Sequence, residues 1–111
     1  MIEFTNITDE PIQRYIIPID KSSVIFRLRY HEVAAIWCVD IEYEGRKVCG
    51  KKLSLGVYHL AGSNFPFDLI IRDTSKMGID PFKQDDFSSG RIVIYMFESK
   101  EIAAIRGYDV P

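Results

Sequence analysis

Apolar and polar residues alternate along the first half of the chain, from residue 24 to residue 43. Every second position there is apolar, in two runs: Val24, Phe26, Leu28 and Tyr30, followed by Trp37, Val39, Ile41 and Tyr43. A period of two places successive side chains on opposite faces of an extended chain. The pattern therefore predicts two β-strands, over 24–31 and 36–43, each with one buried face.

Shorter signals before and after this stretch extend the β interpretation. Residues 13–19 predict a first strand, which Pro18 restricts to a sheet edge because proline cannot donate to the ladder. Gly45 supplies the positive φ of a tight hairpin turn, which predicts a returning strand over 46–49 that is broken by the glycine after it. The segment 53–60 fits either an irregular strand or one helical turn.

Two further strands in the second half are separated by a long polar segment. Residues 67–72 alternate and predict a strand. Residues 91–97 are apolar at nearly every position, which predicts a central strand covered on both sides. Residues 73–90 predict a loop that is functional or packed by its own side chains, with Phe82 and Phe87 as anchors.

The length of 111 residues limits the chain to one domain with a single modest core. We expect a small all-β domain, an antiparallel sandwich or barrel-like fold of about six to eight strands, with one long loop before the last strand. Residues 1–12 would be an N-terminal arm or edge strand, 13–97 the β domain, and 98–111 a C-terminal tail.

Charge and composition exclude several classes of function. Fourteen basic and sixteen acidic residues give a net charge of −2, which argues against direct nucleic-acid binding. No apolar run approaches the roughly 20 residues that span a bilayer, so we expect no membrane insertion. Cys38 and Cys49 fall on neighbouring predicted strands without standing opposite each other, and we expect reduced thiols.

Catalytic and metal-binding patterns are missing from the sequence. His31 and His59 are far apart and predict surface or strand-face histidines. Four loop aspartates could bind a hard cation such as calcium, but their spacing differs from the EF-hand and suits caps and turns: Asp73, Asp80, Asp85 and Asp86. No nucleophile elbow or phosphate-binding glycine loop is present. We predict no catalytic residue, no cofactor and no metal.

Aromatic residues outside the clearest strands are the first candidates for partner contact. Trp37 stands on a predicted buried face and should belong to the core. The sequence Phe65-Pro66-Phe67 and Phe82 are harder to bury completely in so small a domain. Some of these rings could therefore form an apolar patch for another protein.

A series of short motifs, spread from Gln13 to Phe97, resembles a known family. The motifs are, in order, Phe26-Arg27-Leu28-Arg29-Tyr30, Trp37-x-Val39-Asp40-Ile41, Val48-x-Gly50, Asp80-Pro81-Phe82, Asp85-Asp86-Phe87 and Ile94-Tyr95-Met96-Phe97. The chain resembles the phage baseplate plug family, small all-β proteins of contractile-tailed bacteriophages. The Asp-Pro pair followed by two acids is the most characteristic part, whereas the tail after Phe97 is additional to the pattern.

The resemblance implies a structural protein at the centre of the tail baseplate, near the hub where tube and spike meet. Its partners would be other hub, tube or spike proteins, with several copies around the tail axis. It would be made in the cytoplasm of the bacterial host and incorporated into the virion.

The resemblance assigns no site residues, so contact residues follow from expected exposure alone. We predict two contact loops, which contain Phe65, Pro66 and Phe67, and Asp80, Pro81, Phe82 and Phe87. Arg27 and Arg29, on the polar face of a strand, are candidates for ion pairs between subunits.

Two other classes of function stay open at the level of sequence. The first is a small soluble β domain that binds a ligand or peptide outside any virion. The second is a small enzyme or its inhibitor, although paired carboxylates such as Asp40 and Glu42 are better explained as solubilising residues.

Overall fold

Seven β-strands form the scaffold in a computed structural model, which describes residues 2–4, 7–19, 22–63 and 65–98. The strands are β1 (Ile2–Phe4), β2 (Ile12–Ile19), β3 (Ser22–His31), β4 (Ile36–Tyr43), β5 (Arg46–Lys52), β6 (Phe67–Asp73) and β7 (Ile92–Glu98). The described residues contain no helix long and apolar enough to cross a membrane. The predicted tail from residue 99 onward lies outside them.

The strands form two antiparallel sheets, with orders β1-β7-β6 and β2-β3-β4-β5. The all-β prediction is confirmed, and the separate sheets make a sandwich rather than a closed barrel within the described residues. The predicted central position of β7 is also confirmed. Its expected cover on both sides is wrong: Val93 and Tyr95 are only half-buried, because a two-layer sandwich covers one face of each sheet.

The alternation that predicted β3 and β4 is reproduced in their burial. Val24, Phe26 and Leu28 are completely buried, and the residues between them face outward. Trp37, at the start of β4, is completely buried and belongs to the core as predicted. The turn at Gly45 is confirmed, with a φ of +77° that an L side chain rarely adopts.

Strand β5 is longer than predicted because Gly50 forms a β-bulge instead of ending the strand. The register shifts between Val39 and Ile41, so two residues of β5 stand opposite Asp40. Gly50 has a φ of +67°, and its N–H donates to Asp40 Oδ1 at 2.7 Å. A left-handed glycine absorbs the extra residue, and pairing resumes at Lys51.

The core lies between the two sheets and is rich in aromatic contacts. Phe4 of β1 packs edge-on against Phe26 of β3, with ring centroids 5.0 Å apart. Tyr43 of β4 packs in the same way on Phe67 of β6 at 5.3 Å. Burying a large apolar side chain contributes about 1.5–3 kcal/mol, so these pairs are a main source of attachment between the layers.

The ambiguous segment 53–60 is neither a strand nor a helix, because a buried histidine holds it to β6. His59 Nε2 accepts the N–H of Ser54 at 3.0 Å, and Nδ1 lies 2.9 Å from the carbonyl oxygen of Leu69. These bonds assign the proton to Nδ1. The prediction of a surface or strand-face histidine is therefore wrong for His59, which is 3% exposed.

Candidate functional site

The long loop before the last strand, residues 74–91, is a packed unit whose two ends meet. Because β6 and β7 are neighbours, the N–H of Thr74 donates to the carbonyl of Arg91 at 2.8 Å. Thr74 Oγ1 also donates to the carbonyl of Gly90 at 2.7 Å. The loop therefore starts from a fixed base, and its side chains decide the shape of the rest.

A single guanidinium group organises this loop. Arg91 Nε and Nη2 donate to the two carboxylate oxygens of Asp86 at 2.9 and 2.8 Å, a bidentate pair. Nη1 donates to Asp73 Oδ2 at 3.1 Å and to the carbonyl of Ile79 at 3.0 Å, and Nη2 also reaches the carbonyl of Asp80 at 3.2 Å. These contacts match the five N–H donors of an arginine. We call these five residues the Arg91 cluster.

Charges in the Arg91 cluster are buried and strongly stabilised. The side chains of Asp86 and Arg91 are 3% and 12% exposed. Burial alone would raise the pKa of Asp86, but hydrogen bonds from Arg91 and from the N–H groups of Lys83 and Phe82 outweigh it and hold that pKa at about 2. The bond to Asp86 also raises the pKa of Arg91. Both groups are therefore charged over the whole range in which proteins are stable.

Asp73 is the second acid of the cluster and shapes the start of the loop. Its Oδ1 accepts from the N–H and the hydroxyl of Ser75, and Oδ2 accepts from the N–H of Ile79. These bonds, the Ser75 hydroxyl first, lower the pKa of Asp73. Its carboxylate is thus used within the loop and in the ion pair with Arg91.

The far part of the loop is attached to the four-stranded sheet. Trp37 Nε1 donates to the carbonyl of Lys83 at 2.9 Å, and the Phe87 ring packs edge-on against the Trp37 ring at 5.1 Å. Tyr30 donates its hydroxyl to the carbonyl of Phe82 at 2.9 Å. The only tryptophan of the chain therefore contacts the loop directly, which makes it a natural reporter of loop structure.

The predicted contact residues of this loop differ in exposure. Pro81 is buried, and Phe87 is 5% exposed. Asp80 is half-buried, and its Oδ1 accepts the N–H of Leu55 at 2.9 Å. Phe82 is exposed, and the Arg91 guanidinium lies 5.3 Å from its ring centroid. Phe82 thus covers the cluster while keeping part of its ring free.

The expectation that Phe65 and Phe67 are left exposed is wrong. Phe65 is 6% exposed and Phe67 is completely buried. The two rings stack at 5.3 Å, and both pack edge-on against Tyr43. The sandwich buries them because its two layers meet at this end of the core. Pro66 between them is half-buried and is the accessible member of the trio.

The two arginines predicted for ion pairs between subunits have different environments. Arg29 donates from Nη2 to Asp40 at 3.0 Å, so it is already paired within the chain. Arg27 is exposed and forms no ion pair with the residues that the structure describes. A role of any of these nine predicted residues in binding a partner stays a prediction.

The candidate metal ligands of the loop are not arranged as a metal site in the described part of the chain. Among the described residues, no group of three or more His, Cys, Asp or Glu side chains could hold a metal ion. The loop carboxylates of Asp73 and Asp86 bind Arg91 instead.

Cys38 is buried, which raises the pKa of its thiol, and Cys49 is exposed. They lie on adjacent strands, with Cys38 opposite Lys52, so the two thiols are not directly opposed.

Sequence reasoning missed Arg91 and the packing role of His59. Arg91 reads as the first residue of a strand, and nothing local distinguishes it from a solvent-facing arginine. The available signal was charge balance: the predicted loop holds four aspartates and only two lysines, and Arg91 follows it directly. Such an excess of acid needs a cation, and the first basic residue after the loop supplies it.

Comparison with known proteins gives the family of this chain. No curated protein matches it. A family model described as "Cyanophage baseplate Pam3 plug gp18" matches residues 1–99, most of the 111 residues. That family comprises structural components of the phage baseplate. The chain therefore belongs to the cyanophage baseplate plug family and has a structural role in the baseplate of the virion tail.

Proposed function

We propose that this protein is a central, hub-associated plug in the baseplate of a contractile phage tail, near the meeting point of tube and spike. It acts through protein–protein contacts with hub, tube or spike proteins and with other copies of itself around the tail axis. It carries out no catalysis, uses no cofactor and binds neither nucleic acid nor membrane. It is made in the cytoplasm of the bacterial host and then incorporated into the virion.

The observation that carries this proposal is a rigid loop with an apolar surface. The Arg91 cluster fixes the 74–91 loop from within, yet Met77, Ile79 and Phe82 are 56%, 45% and 37% exposed. Methionine and phenylalanine are enriched in protein interfaces, and a preformed loop loses little conformational entropy on binding. A surface of this kind suits permanent assembly with another protein.

The contact residues expected from the sequence divide accordingly. Phe82, Pro66 and Arg27 are accessible and are proposed contact residues on three different parts of the molecule, of which Phe82 belongs to the loop surface. The others are buried or bonded within the chain: Phe65, Phe67, Pro81, Phe87, Asp80 and Arg29. Met77 and Ile79 join the surface, although sequence reasoning did not select them.

Mass spectrometry of purified virions tests the location of the chain. Peptides of this chain should be found in the tail fraction and be absent from separated capsids. Phages that carry Ile79→Ser and Phe82→Ser should incorporate less of the protein, while the purified variant should stay folded and lose less stability than one with the buried Phe87 replaced by serine. Val57→Ser, which alters an equally exposed apolar residue, is the matched control and should be incorporated normally. Complete absence of the chain from virions would refute the proposal.

One observation favours the second candidate function, a β domain that binds a peptide outside the virion. A groove of about 250 Å³ lies between the edge strands β1 and β2, lined by Ile2, Glu3, Phe4, Ile7, Tyr15, Ile16 and Ile17. Its volume is below the roughly 300–1,000 Å³ of ordinary small-molecule sites, but an edge strand can add an extended peptide. Virion-free protein that stays monomeric and binds peptides at this groove would support this alternative.

A further inference from the structure

Two arginines stand opposite each other on the outer face of the four-stranded sheet. Arg14 of β2 is the register partner of Arg27 of β3, and both side chains are exposed. Neither forms an ion pair with any residue in the described part of the chain. Like charges directly opposite each other destabilise a sheet. Asp40, the register partner of Arg27 on β4, is already bound to Arg29 and to the N–H of Gly50. Carboxylates from another protein surface would therefore relieve this repulsion.

Isoleucines surround the two arginines on the same face. Ile12 and Ile16 alternate with Arg14 along β2 and are 73% and 58% exposed. Ile25 of β3 is half-buried and stands opposite Ile16. Exposed apolar residues grouped around unpaired charges mark a protein contact more often than isolated ones do. We call these five residues the arginine–isoleucine face.

Charged residues next to these arginines on the same sheet face are paired within the chain. Arg29 pairs with Asp40 at 3.0 Å, and Lys47 Nζ lies 3.9 Å from Glu42 Oε1. Arg14 and Arg27 therefore differ from Arg29, the next outward-facing arginine of β3, whose guanidinium is bound to Asp40. This difference in pairing distinguishes Arg14 and Arg27 from the neighbouring charges of the sheet face.

Acidic residues gather at one end of the sandwich, where three segments meet. The N–H of Tyr30 donates to the carbonyl of Pro11 at 2.8 Å, and Gln84 Nε2 donates to the carbonyl of Asp9 at 2.8 Å. These bonds bring the 9–11 segment, the 32–35 turn and the loop tip together. The exposed residues of this acidic end are Asp9, Glu10, Glu32, Asp85 and the completely exposed Val33. The nearby Lys83 lies against the Phe82 ring, with Nζ 5.5 Å from its centroid.

We propose that the acidic end of one copy of this chain docks on the arginine–isoleucine face of a second copy. Val33 packs among Ile12 and Ile16, and the surrounding carboxylates pair with Arg14 and Arg27. Because the two surfaces differ, the contact is heterologous: it adds copies in one direction and closes as a ring if the rotation permits. Applied to the tail, it rests on the proposed function and names the surfaces through which copies meet.

Charge-reversal variants of the purified chain test this contact. Their molecular masses in solution are measured by size exclusion with light scattering. At high micromolar concentration and low salt, the wild type should run at twice the 12.8 kDa chain mass or more. Arg14→Glu with Arg27→Glu should run as a monomer, and so should Glu10→Lys with Glu32→Lys. These pairs change the net charge by the same amount in opposite directions. A chain that carries all four substitutions should self-associate again, because the charges of both surfaces are exchanged.

A matched control keeps the result specific. Lys47→Glu with Lys51→Glu makes the same charge change on exposed lysines of β5 and should leave self-association intact. All altered residues are exposed, and unchanged circular dichroism and Trp37 emission would show that each variant folds. Any of three results would overturn the proposal. The wild type could be monomeric, the variant with all four substitutions could fail to self-associate, or the Lys47/Lys51 control could lose self-association to the same extent. The presence of the chain in virions is measured separately, so a negative result for self-association would not contradict the proposed baseplate role.

Discussion

Replacing Asp86 with asparagine should destabilise the protein by about 3 kcal/mol, although only a charge is removed and the side-chain shape is kept. The carboxylate accepts four hydrogen bonds, two from Arg91 and one each from the N–H groups of Phe82 and Lys83. Three of these bonds converge on Oδ2 and one on Oδ1, so an asparagine that keeps its oxygen at the Oδ2 position places its NH₂ group against Arg91 Nε. Arg91, with 12% of its side chain exposed, would then face only Asp73 as a counter-charge.

Two independent routes give this magnitude. The pKa of Asp86 falls from 3.8 to about 2 in the folded state. At about 1.36 kcal/mol per pKa unit, the interaction of the charged form is worth roughly 2–3 kcal/mol at neutral pH. Breaking a buried ion pair by removing one partner costs about 3–5 kcal/mol. The partial exposure of Arg91 favours the lower end of that range.

Urea unfolding followed by Trp37 emission measures this effect, because Trp37 donates to the loop carbonyl of Lys83. Asp85→Asn is the matched control, since Asp85 is the exposed neighbour and should change stability by less than about 0.5 kcal/mol. A loss below about 1 kcal/mol for Asp86→Asn, or an equal loss for Asp85→Asn, would refute the argument that the Arg91 cluster holds the loop.

The lowered pKa of Asp86 also predicts how the stability difference between the wild type and Asp86→Asn depends on pH. A group whose folded pKa is lowered stabilises the fold above its unfolded pKa and loses that contribution as the pH falls toward its folded pKa. The wild type should therefore lose this contribution as the pH falls from about 4 to about 2, whereas Asp86→Asn has no such contribution to lose. The gap in stability between the two proteins should narrow over that interval.

Other substitutions test individual contacts. Phe87→Ser should lower the stability by about 3–5 kcal/mol because the buried Phe87 ring packs on Trp37. Phe82→Ser should lower it by less than about 1.5 kcal/mol because the Phe82 ring is exposed. Equal melting temperatures of the two variants would contradict the assigned burial. His59→Ala should cost about 2–4 kcal/mol because it removes a buried ring and leaves the part-buried N–H of Ser54 without its acceptor. A thermal unfolding curve like that of the wild type would exclude this role. Gly50→Ala should cost about 1–2 kcal/mol in urea unfolding because its φ of +67° strains an L residue, and a neutral result would show that the bulge can relax.

Local sequence patterns were sufficient for the strands that have one buried face. The alternation in 24–31 and 36–43 located β3 and β4 to within two residues, and Gly45 located the hairpin turn. The same reasoning ended β5 too early, because a glycine that breaks a strand and a glycine that forms a bulge look alike in sequence. Only the opposing Asp40, which accepts the Gly50 N–H, decides between them.

Features that depend on several distant segments were not predictable in the same way. Arg91 receives its acceptors from Asp73, Ile79, Asp80 and Asp86, which no periodicity links. The burial of Phe65 and Phe67 depends on Tyr43 from the opposite sheet. The long loop itself was predicted from composition, and its packing by its own side chains was one of two alternatives. The ion pairs show internal packing, and the same loop also leaves Met77, Ile79 and Phe82 exposed.

The position of the first and last strands in one sheet has a consequence for biosynthesis. The three-stranded layer consists of β1, β6 and β7, and residues near the start of the chain pair with residues near its end, Ile2 with Met96. During translation, the β2–β5 layer emerges first and exposes the core side of Phe26 and Trp37 to water until β7 has left the ribosome. Such non-local pairing folds slowly and leaves truncated products prone to aggregate. The sandwich can therefore close only after β7 has been synthesised, and incomplete chains expose the core face of the four-stranded sheet.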